Sequence, residues 1–407
     1  MEKILKQSSW LLLAQGIGRV VGFFYTIFLA RNLGVEDFGL YSVALAYFSL
    51  VSSIADFGFN RFLIREVARD HQKIPQLLSN ISIFRLALTA ILFAIFSLGL
   101  YLIDPDKLRV NIILLGVLAV LPQSISFTID AIFVATQKLQ LSSIALVILN
   151  LATTLFGVNL INNGFGVMGS VVALILGQLV YLIFLSLTFK TQKLKMLSVV
   201  KWVTIRHALL GSLPYGILGI LGLLYFRIDL IILTYLRGSF DSGIYGAAYK
   251  FLEAVVFIPS ALSAALFPVL AKLHDNSSKD ISKLYFSSMK LMFWISILIT
   301  VGYVLILPLV IRELLPNYLA SIEVIKVLAL TIPFIFIHVP GAQVLLSTDK
   351  YLKPVVFLSV ITLSVNILLN LTFIPKYGFM AAAWITVFSE ALSFVAFYSL
   401  LRIRVFK

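Results

Sequence analysis

The chain has 407 residues, of which 60% are hydrophobic and 12% are charged, and its formal net charge is +14. Because a soluble domain has about 25% charged residues, this composition excludes a soluble globular protein. The sequence contains no cysteine, which excludes disulfides and thiolate metal sites.

Apolar runs near the ~20 residues that cross about 30 Å of hydrocarbon recur from end to end. The first run follows Lys3 and Lys6 and continues to Ala30, so it is longer than a signal-peptide core and we expect it to remain as a first helix. We predict an all-α integral membrane protein with twelve spans, numbered in chain order: 8–30, 38–60, 80–103, 111–136, 141–162, 165–189, 208–236, 242–271, 286–311, 320–346, 354–374 and 378–401.

The basic residues are unevenly distributed over this topology. Of the 32 Lys and Arg residues, 20 fall on the face that carries the N-terminus, six on the opposite face, and six within spans or at their edges. The 18 acidic residues divide equally among the three zones, so the excess positive charge lies on one face. This is the positive-inside pattern of a multi-pass protein of the plasma (inner) membrane with both termini in the cytoplasm. We therefore expect membrane lipids as partners and no nucleic acid.

One pattern, Gly-x-x-Asp-x-Gly-x-Tyr-x-x-Ala, occurs twice, as GVEDFGLYSVA from residue 34 and as GSFDSGIYGAA from residue 238. Both copies lie at a predicted external turn. Gly34 and Gly238 suit a left-handed backbone at the end of a helix, and Tyr41 and Tyr245 suit the interfacial aromatic belt.

Further matches follow in the same order at an offset of 212 positions. ATQK at 135–138 matches STDK at 347–350, GVM at 166–168 matches GFM at 378–380, and Gln178 matches Glu390. An even number of spans separates the copies, so both halves enter the membrane in the same orientation. We predict a parallel internal repeat of two six-helix lobes, residues 1–200 and 201–407, an architecture typical of alternating-access transporters.

Charged residues inside the predicted spans are candidates for the transport site, because an embedded charge normally faces a water-filled cavity or a partner. The candidate substrate-binding cations are Arg19, Arg227 and Lys250. The acids that could bind a coupling ion or pair with a cation are Asp56, Asp130, Asp229, Glu253 and Glu390. Lys250 and Glu253 are three residues apart on one helix face, so a structural ion pair is an open alternative.

Three stretches carry a resemblance to a known family: SSWLLLAQGIGRVVGFFYTIFLARNLGVEDFGLYSVALAYFSLVSSIADFGF, FRIDLIILTYLRGSFDSGIYGAAYKF and LNLTFIPKYGFMAAAWIT. They resemble the polysaccharide and oligosaccharide flippases, of the O-antigen repeat-unit type, within the multidrug, oligosaccharidyl-lipid and polysaccharide exporter superfamily. The resemblance implies a V-shaped, MATE-like fold that moves a polyprenyl-diphosphate-linked oligosaccharide from the cytoplasmic to the outer leaflet for cell-surface polysaccharide assembly. It also implies a cationic cavity, for which Arg19, Arg227 and Lys250 offer matching charges.

Two alternatives remain open at this point. A cation-coupled multidrug exporter of the MATE type would bind organic cations through acids such as Asp56, Asp130 or Glu390. A membrane glycan polymerase or glycosyltransferase is disfavoured, because the four histidines are scattered and neither His-x-x-Glu-His nor Gly-x-Ser-x-Gly occurs. We therefore expect a transporter without enzyme activity, cofactor or metal, with glycosyltransferases and a polymerase of the same pathway as protein partners.

Overall fold

A computed structural model describes residues 2–191, 199–273 and 278–406. The described residues are overwhelmingly helical, and none of them belongs to a β-strand. The helices are α1 (Glu2–Asp56), α2 (Phe59–Arg69), α3 (Ile74–Ile103), α4 (Lys107–Leu118), α5 (Val120–Ala135), α6 (Leu139–Asn162), α7 (Gly166–Thr191), α8 (Trp202–Leu273), α9 (Ser278–Leu305), α10 (Leu307–Leu314), α11 (Ser321–Ala329), α12 (Thr331–Leu346) and α13 (Leu352–Arg404).

Three of these helices are too long for a single crossing, and each breaks at one glycine. The breaks lie at Gly34 in α1, Gly238 in α8 and Gly378 in α13, with φ of 77°, 86° and 57°. Positive φ is therefore confirmed at both copies of the repeated pattern. However, ψ at Gly34 is 174° and at Gly238 is −179°, so the backbone is extended there and not left-handed helical. Only glycine adopts this conformation without strain, which explains why glycine stands at both positions.

The lengths and composition of the helices identify a multi-pass membrane protein. Eight described helices are long and apolar enough to cross a membrane, or nine if the bent pair α11 and α12, at 41°, forms one span. Three of the eight contain the glycine breaks and each supplies two predicted spans, which is consistent with the twelve spans expected from the sequence. Large apolar side chains remain exposed along these helices, as at Leu102 and Ile103, because their solvent is lipid.

The chain forms two compact units. The first comprises residues 1–33 and 40–224, and the second comprises residues 34–39 and 225–407. In the first unit, the apolar face of α2 packs into a core with α5 and α7 through Phe62, Ile132 and Phe189. The lobe boundary between residues 200 and 201 follows from the internal repeat and stays a prediction.

The two copies of the repeated pattern contact each other within the second unit. A Cβ added at Gly39 would lie 1.9 Å from the carbonyl oxygen of Ser239, and one added at Gly243 would lie 2.0 Å from that of Val35. In each copy, the second glycine (Gly39 or Gly243) therefore packs against the other copy, at the residue directly after that copy's first glycine (Ser239 or Val35). This reciprocal contact gives a physical reason for a repeated glycine that a sequence pattern alone leaves unexplained.

The two tyrosines of the pattern are buried and do not form an exposed aromatic belt. Tyr41 is buried in the first unit, and Tyr245 is buried in the second, where its hydroxyl donates to Asp229. The expectation that they belong to an exposed aromatic belt is therefore wrong for both, because both side chains are packed among the helices.

Candidate functional site

Arg19 lies on a distinct face of α1. Exposed apolar side chains form one stripe of this helix, at Leu13, Ile17, Val20 and Phe24. At 100° per residue, Arg19 falls about 130° from the centre of that stripe, and Gln15, Gly22 and Thr26 lie further round the helix, nearly opposite the stripe. Arg19 is exposed, its three companions are partly exposed, and a Cβ added at Gly22 would have no atom within 4 Å. The first unit therefore carries a polar, open stripe that includes Arg19 and that differs from its lipid-facing stripe.

Arg227 and Lys250 share one carboxylate in the second unit. Glu253 Oε1 lies 2.5 Å from Arg227 Nη1, and Glu253 Oε2 lies 2.9 Å from Lys250 Nζ. We refer to Arg227, Lys250 and Glu253 as the cation cluster. Its side chains are 19–28% exposed, and two cations against one anion give it a net charge of +1.

The break at Gly238 makes this cluster possible. Arg227 precedes the break and Glu253 follows it, so α8 folds back on itself and brings together two residues that are 26 positions apart. The pair of Lys250 with Glu253 was expected from spacing, whereas the contact of Arg227 with the same carboxylate was not. Asp229, two residues from Arg227, lies on another face as expected and is buried against Tyr245.

Asp56 is the ion-pair partner of a buried arginine in the first unit. Arg85 is 1% exposed and donates to Asp56, to Asn60 Oδ1 at 3.0 Å and to Thr128 Oγ1 at 2.8 Å. Asp56 also accepts from the backbone N–H of Gly58 at 3.2 Å. A buried guanidinium needs such a partner, since an unpaired buried charge is strongly destabilising. The geometry therefore places Asp56 in a structural ion pair. The sequence alone gave no indication that Arg85 is its partner.

Asp130 and Asp229 interact with hydroxyl groups, and Arg227 also acts electrostatically on Asp229. Asp130 interacts with the hydroxyls of Ser142 and Tyr181, and its Oδ1 has no hydrogen-bond partner among the described residues. Asp229 accepts from Tyr245, from Thr386 Oγ1 at 3.4 Å and from its neighbouring backbone N–H. Neither carboxylate forms an ion pair within the described parts of the chain.

Glu390 faces a histidine that the sequence did not single out. Glu390 is 1% exposed, and its Oε2 lies 3.2 Å from Nδ1 of His338 on α12. The imidazole stacks on Phe397 with ring centroids 5.9 Å apart. The signal available in the sequence was that His338 is the one histidine inside a predicted span.

The sequence also contains Asp104-Pro105-Asp106, an Asp-x-Asp stretch of the kind that binds metal in glycosyltransferases. Here Asp104 accepts from Arg109 Nε at 2.7 Å, and Asp106 caps α4 by accepting from Arg109 N at 3.1 Å. Burial of Asp104 acts to raise its pKa, but the hydrogen bonds and positive charge of Arg109 outweigh this and lower the pKa below its usual range. No group of three His, Asp or Glu side chains able to hold a metal occurs in the described ranges.

An apolar groove of about 520 Å³ lies in the second unit beside the break at Gly378. Its walls include Phe373, Tyr377, Trp384 and Phe388, all exposed. The groove suits a hydrocarbon chain, since aromatic and aliphatic surface is nearly all that it presents.

The helical architecture and the embedded charges define an α-helical membrane protein with the fold of known transporters. The solved structure of the lipid II flippase MurJ in an inward closed conformation has a TM-score of 0.78 at 15% identity and covers 97% of this chain and 87% of its own. An inward-facing multidrug resistance MATE family transporter of the MOP superfamily has a TM-score of 0.76 at 14% identity and covers 95% of this chain and 94% of its own. At these identities the similarity shows the fold.

The family follows from the sequence comparison. The polysaccharide biosynthesis protein family matches residues 4–274, and the chain belongs to this family. The "Putative O-antigen transporter" of Shigella flexneri is 36% identical over 106 residues, which cover 25% of this chain. The matched region spans 24% of that relative.

Proposed function

We propose that the protein is a flippase that moves a polyprenyl-diphosphate-linked oligosaccharide from the cytoplasmic to the outer leaflet by alternating access. The observation that carries this proposal is the cation cluster, a partly buried site of net positive charge within a fold shared by flippases and exporters. A lipid-linked diphosphate is anionic and carries a bulky polar glycan, so it does not cross hydrocarbon unaided.

The chemistry of the cluster fits a diphosphate. Arg227 offers a planar fork of donors that matches phosphate oxygens, and Lys250 adds a compact positive charge. Glu253 holds both cations within 3 Å of its carboxylate oxygens, which orients them before a ligand arrives. A diphosphate would compete with Glu253 for these donors. Arg19, on the open polar stripe of the first unit, is the further cation that we assign to the substrate path.

The hydrocarbon part of the substrate needs an apolar surface. The aromatic groove beside Gly378 is the apolar cavity in the second unit that we assign to the prenyl chain. With the prenyl chain in contact with lipid and the diphosphate bound to cations, only the glycan needs a wet path. Glycosyltransferases would supply this substrate on the cytoplasmic side of the inner membrane, and a polymerase would consume it on the other side. We also place both termini on the cytoplasmic side.

One observation favours a second function, export of organic cations. Asp130 and Asp229 are buried carboxylates that form no ion pair among the described residues, and such acids suit a cationic ligand or a coupling ion. The family and the positive cluster favour the flippase. An enzymatic role finds no support in the Asp-x-Asp stretch, since Arg109 occupies both of its carboxylates.

Two separate binding titrations distinguish the two functions. Purified protein in nanodiscs is titrated with a fluorescent polyprenyl-diphosphate sugar and, separately, with a fluorescent organic cation. We expect saturable binding of the lipid and its loss in Arg19→Ala. Arg31→Ala is the matched control, because Arg31 is an exposed arginine of the same helix near the external turn. Binding of the cation alone would establish the exporter and reject the flippase.

A further inference from the structure

Positively charged side chains extend over α2 and the first turns of α8, both in the first unit. On α2 an arginine recurs at every fourth residue from 61 to 69, so the three arginines form one stripe. Segments 59–73 and 199–207 together contain six lysines and arginines and two acidic residues, which gives a net charge of +4. All six cations are exposed, and we refer to them as the basic surface: Arg61, Arg65, Arg69, Lys73, Lys201 and Arg206.

The acidic residues of these segments leave the basic surface with its excess charge. Glu66 is buried and pairs with three of the cations. Its carboxylate oxygens lie 3.5 Å from Arg65 Nε, 3.9 Å from Arg69 Nη1 and 3.4 Å from Lys73 Nζ. These three cationic side chains remain 42%, 70% and 45% exposed. Asp70, the other acid, accepts from a backbone N–H of the turn that follows α2 at 2.9 Å. One buried carboxylate therefore holds three cations that still face outward.

The first turns of α8 place a cation inside an apolar, exposed stripe. This stripe contains Trp202, Leu210, Leu213 and Ile217, and at 100° per residue Arg206 falls at its centre. Tryptophan is enriched where the membrane meets water, and Arg206 follows Trp202 by four residues, or about 6 Å of helix. Because side chains tilt toward the N-terminus of their helix, Arg206 reaches back toward that interface.

Packing joins α2 to this part of α8. The ring centroid of Phe62 on α2 lies 5.7 Å from that of His207, and the guanidinium carbon of Arg65 lies 5.8 Å from the same phenyl centroid. A Cβ added at Gly211 would lie 2.6 Å from Phe62 and 3.6 Å from Arg65 Nη2. Since Arg206 directly precedes His207, cations from both helices border the same part of the surface.

We propose that the basic surface binds the head group of an anionic phospholipid in the leaflet that we assign to the cytoplasm. The lipid phosphate contacts Arg206 and Arg65, and an acyl chain of the same lipid lies along the apolar stripe of α8. This binding does not depend on the proposed flippase function.

The position of Arg206 decides the chemical class of the ligand. A cation within a lipid-facing stripe lies next to phospholipid head groups, whereas a nucleic acid or an acidic protein has no access to that face of the helix. Excess positive charge selects anionic over zwitterionic head groups. The apolar stripe is an open helix face, which suits the acyl chains of the surrounding bilayer better than a single dedicated carrier lipid.

Quenching of tryptophan fluorescence by brominated lipids measures this selectivity. In a variant that keeps Trp202 as the only tryptophan, brominated phosphatidylglycerol and brominated phosphatidylcholine are compared for binding beside it. We expect tighter binding of phosphatidylglycerol. The ratio of the two binding constants should fall by up to about fivefold in Arg206→Gln and be retained in Arg206→Lys, because one cation near an anionic lipid contributes about that factor.

The controls separate local charge from total charge and from folding. Arg31→Gln is the matched control, because it removes an exposed arginine of the first unit at the predicted opposite face, and its ratio should equal that of the parent protein. Thermal unfolding in pure phosphatidylcholine should be the same for Arg206→Gln, Arg206→Lys and the parent protein.

Three results bear on the proposal and on its independence from transport. Equal binding constants for the two lipids, or a ratio unchanged in the Arg65→Gln, Arg206→Gln double variant, would overturn it. If a polyprenyl diphosphate displaces brominated phosphatidylglycerol far better than unlabelled phosphatidylglycerol does, the surface belongs to the transport substrate and the proposal fails. Selectivity for phosphatidylglycerol in a protein that transfers no lipid-linked sugar would reject the flippase and leave this lipid site in place.

Discussion

Changing the charge of the cation cluster one residue at a time gives the sharpest prediction about the substrate. Wild-type protein has a net cluster charge of +1, which Arg227→Gln and Lys250→Gln each reduce to zero and Glu253→Gln raises to +2. We expect binding of a diphosphate lipid to weaken in the first two variants and to persist in the third. Glu253→Gln is also expected to lower thermal stability, because two neighbouring cations lose the carboxylate they share.

The geometry sets the size of the effect. A hydrogen bond to a charged group contributes about 1.5–3 kcal/mol, which corresponds to roughly 10- to 150-fold in Kd. The side chains of the cluster are 19–28% exposed, so water screens part of the interaction and the lower end of that range applies. We therefore expect the Kd for the diphosphate lipid to rise about tenfold in Arg227→Gln and in Lys250→Gln.

The assay is equilibrium binding in nanodiscs at fixed ionic strength. Lys326→Gln is the matched control, since Lys326 forms an i,i+3 pair with Glu323 at 2.8 Å, the same local arrangement as Lys250 with Glu253, but on an exposed surface. The control should bind like wild type. If Glu253→Gln abolishes lipid binding while Arg227→Gln and Lys250→Gln leave it unchanged, the cluster acts through its acid and the reasoning is refuted.

Three further predictions concern the packing of Gly39, the stability of the protein at acid pH and the apolar groove. Gly39→Ala should destabilise the protein by about 1–3 kcal/mol, because its Cβ would lie 1.9 Å from a backbone oxygen; thermal unfolding in detergent measures this. Asp104→Asn should destabilise the protein at pH 7, because the Arg109 partner lowers the pKa of Asp104. The stability that the Asp104 carboxylate contributes is present above its unfolded pKa of about 3.9, and it is lost as the pH falls through the lower pKa of the folded state. In a variant with Trp384 as the only tryptophan, polyprenyl phosphate should relieve quenching by brominated lipid, since Trp384 lines the groove.

Each of these predictions has its own control. A Cβ at Gly99 would meet no atom within 4 Å, so Gly99→Ala should leave stability unchanged or raise it, and an equal loss in both variants would contradict the packing argument. A stability difference for Asp104→Asn that stays constant down to pH 2 would contradict the ion pair with Arg109. A variant that keeps only Trp294, which is exposed on α9, should show no relief of quenching, and relief there would remove the evidence for the groove.

Much of the fold could be predicted from the sequence because membrane spans depend on local composition. Apolar runs identified the crossings, and Gly34, Gly238 and the repeat at Gly378 fall where long helices break. Positive φ at the first two glycines was predictable, since few other residues tolerate it. Their extended ψ was not, and neither was the close approach of Gly39 to Ser239 and of Gly243 to Val35, because these residues are far apart in the sequence.

The partners of the embedded charges could be predicted only where they are close in sequence. Spacing indicated the pair of Lys250 with Glu253, but Arg227 reaches the same carboxylate only because α8 folds back. Arg85 with Asp56, 29 positions apart, depends on helix packing in the same way.

His338 and Glu390 are separated by 52 positions and meet only because α12 packs on α13. The one indication in the sequence was a histidine inside a predicted span, and it gave no partner.

The central claim is that this protein carries a phosphorylated lipid between leaflets by means of its embedded cations. The most direct test is the transfer of a polyprenyl-diphosphate-linked sugar in proteoliposomes, followed by an impermeant reagent that modifies the glycan in the outer leaflet. We predict transfer faster than in protein-free liposomes, with the Arg227→Gln, Lys250→Gln double variant close to the protein-free rate. Transfer at the protein-free rate by the wild type, or an undiminished rate in the double variant, would contradict the account.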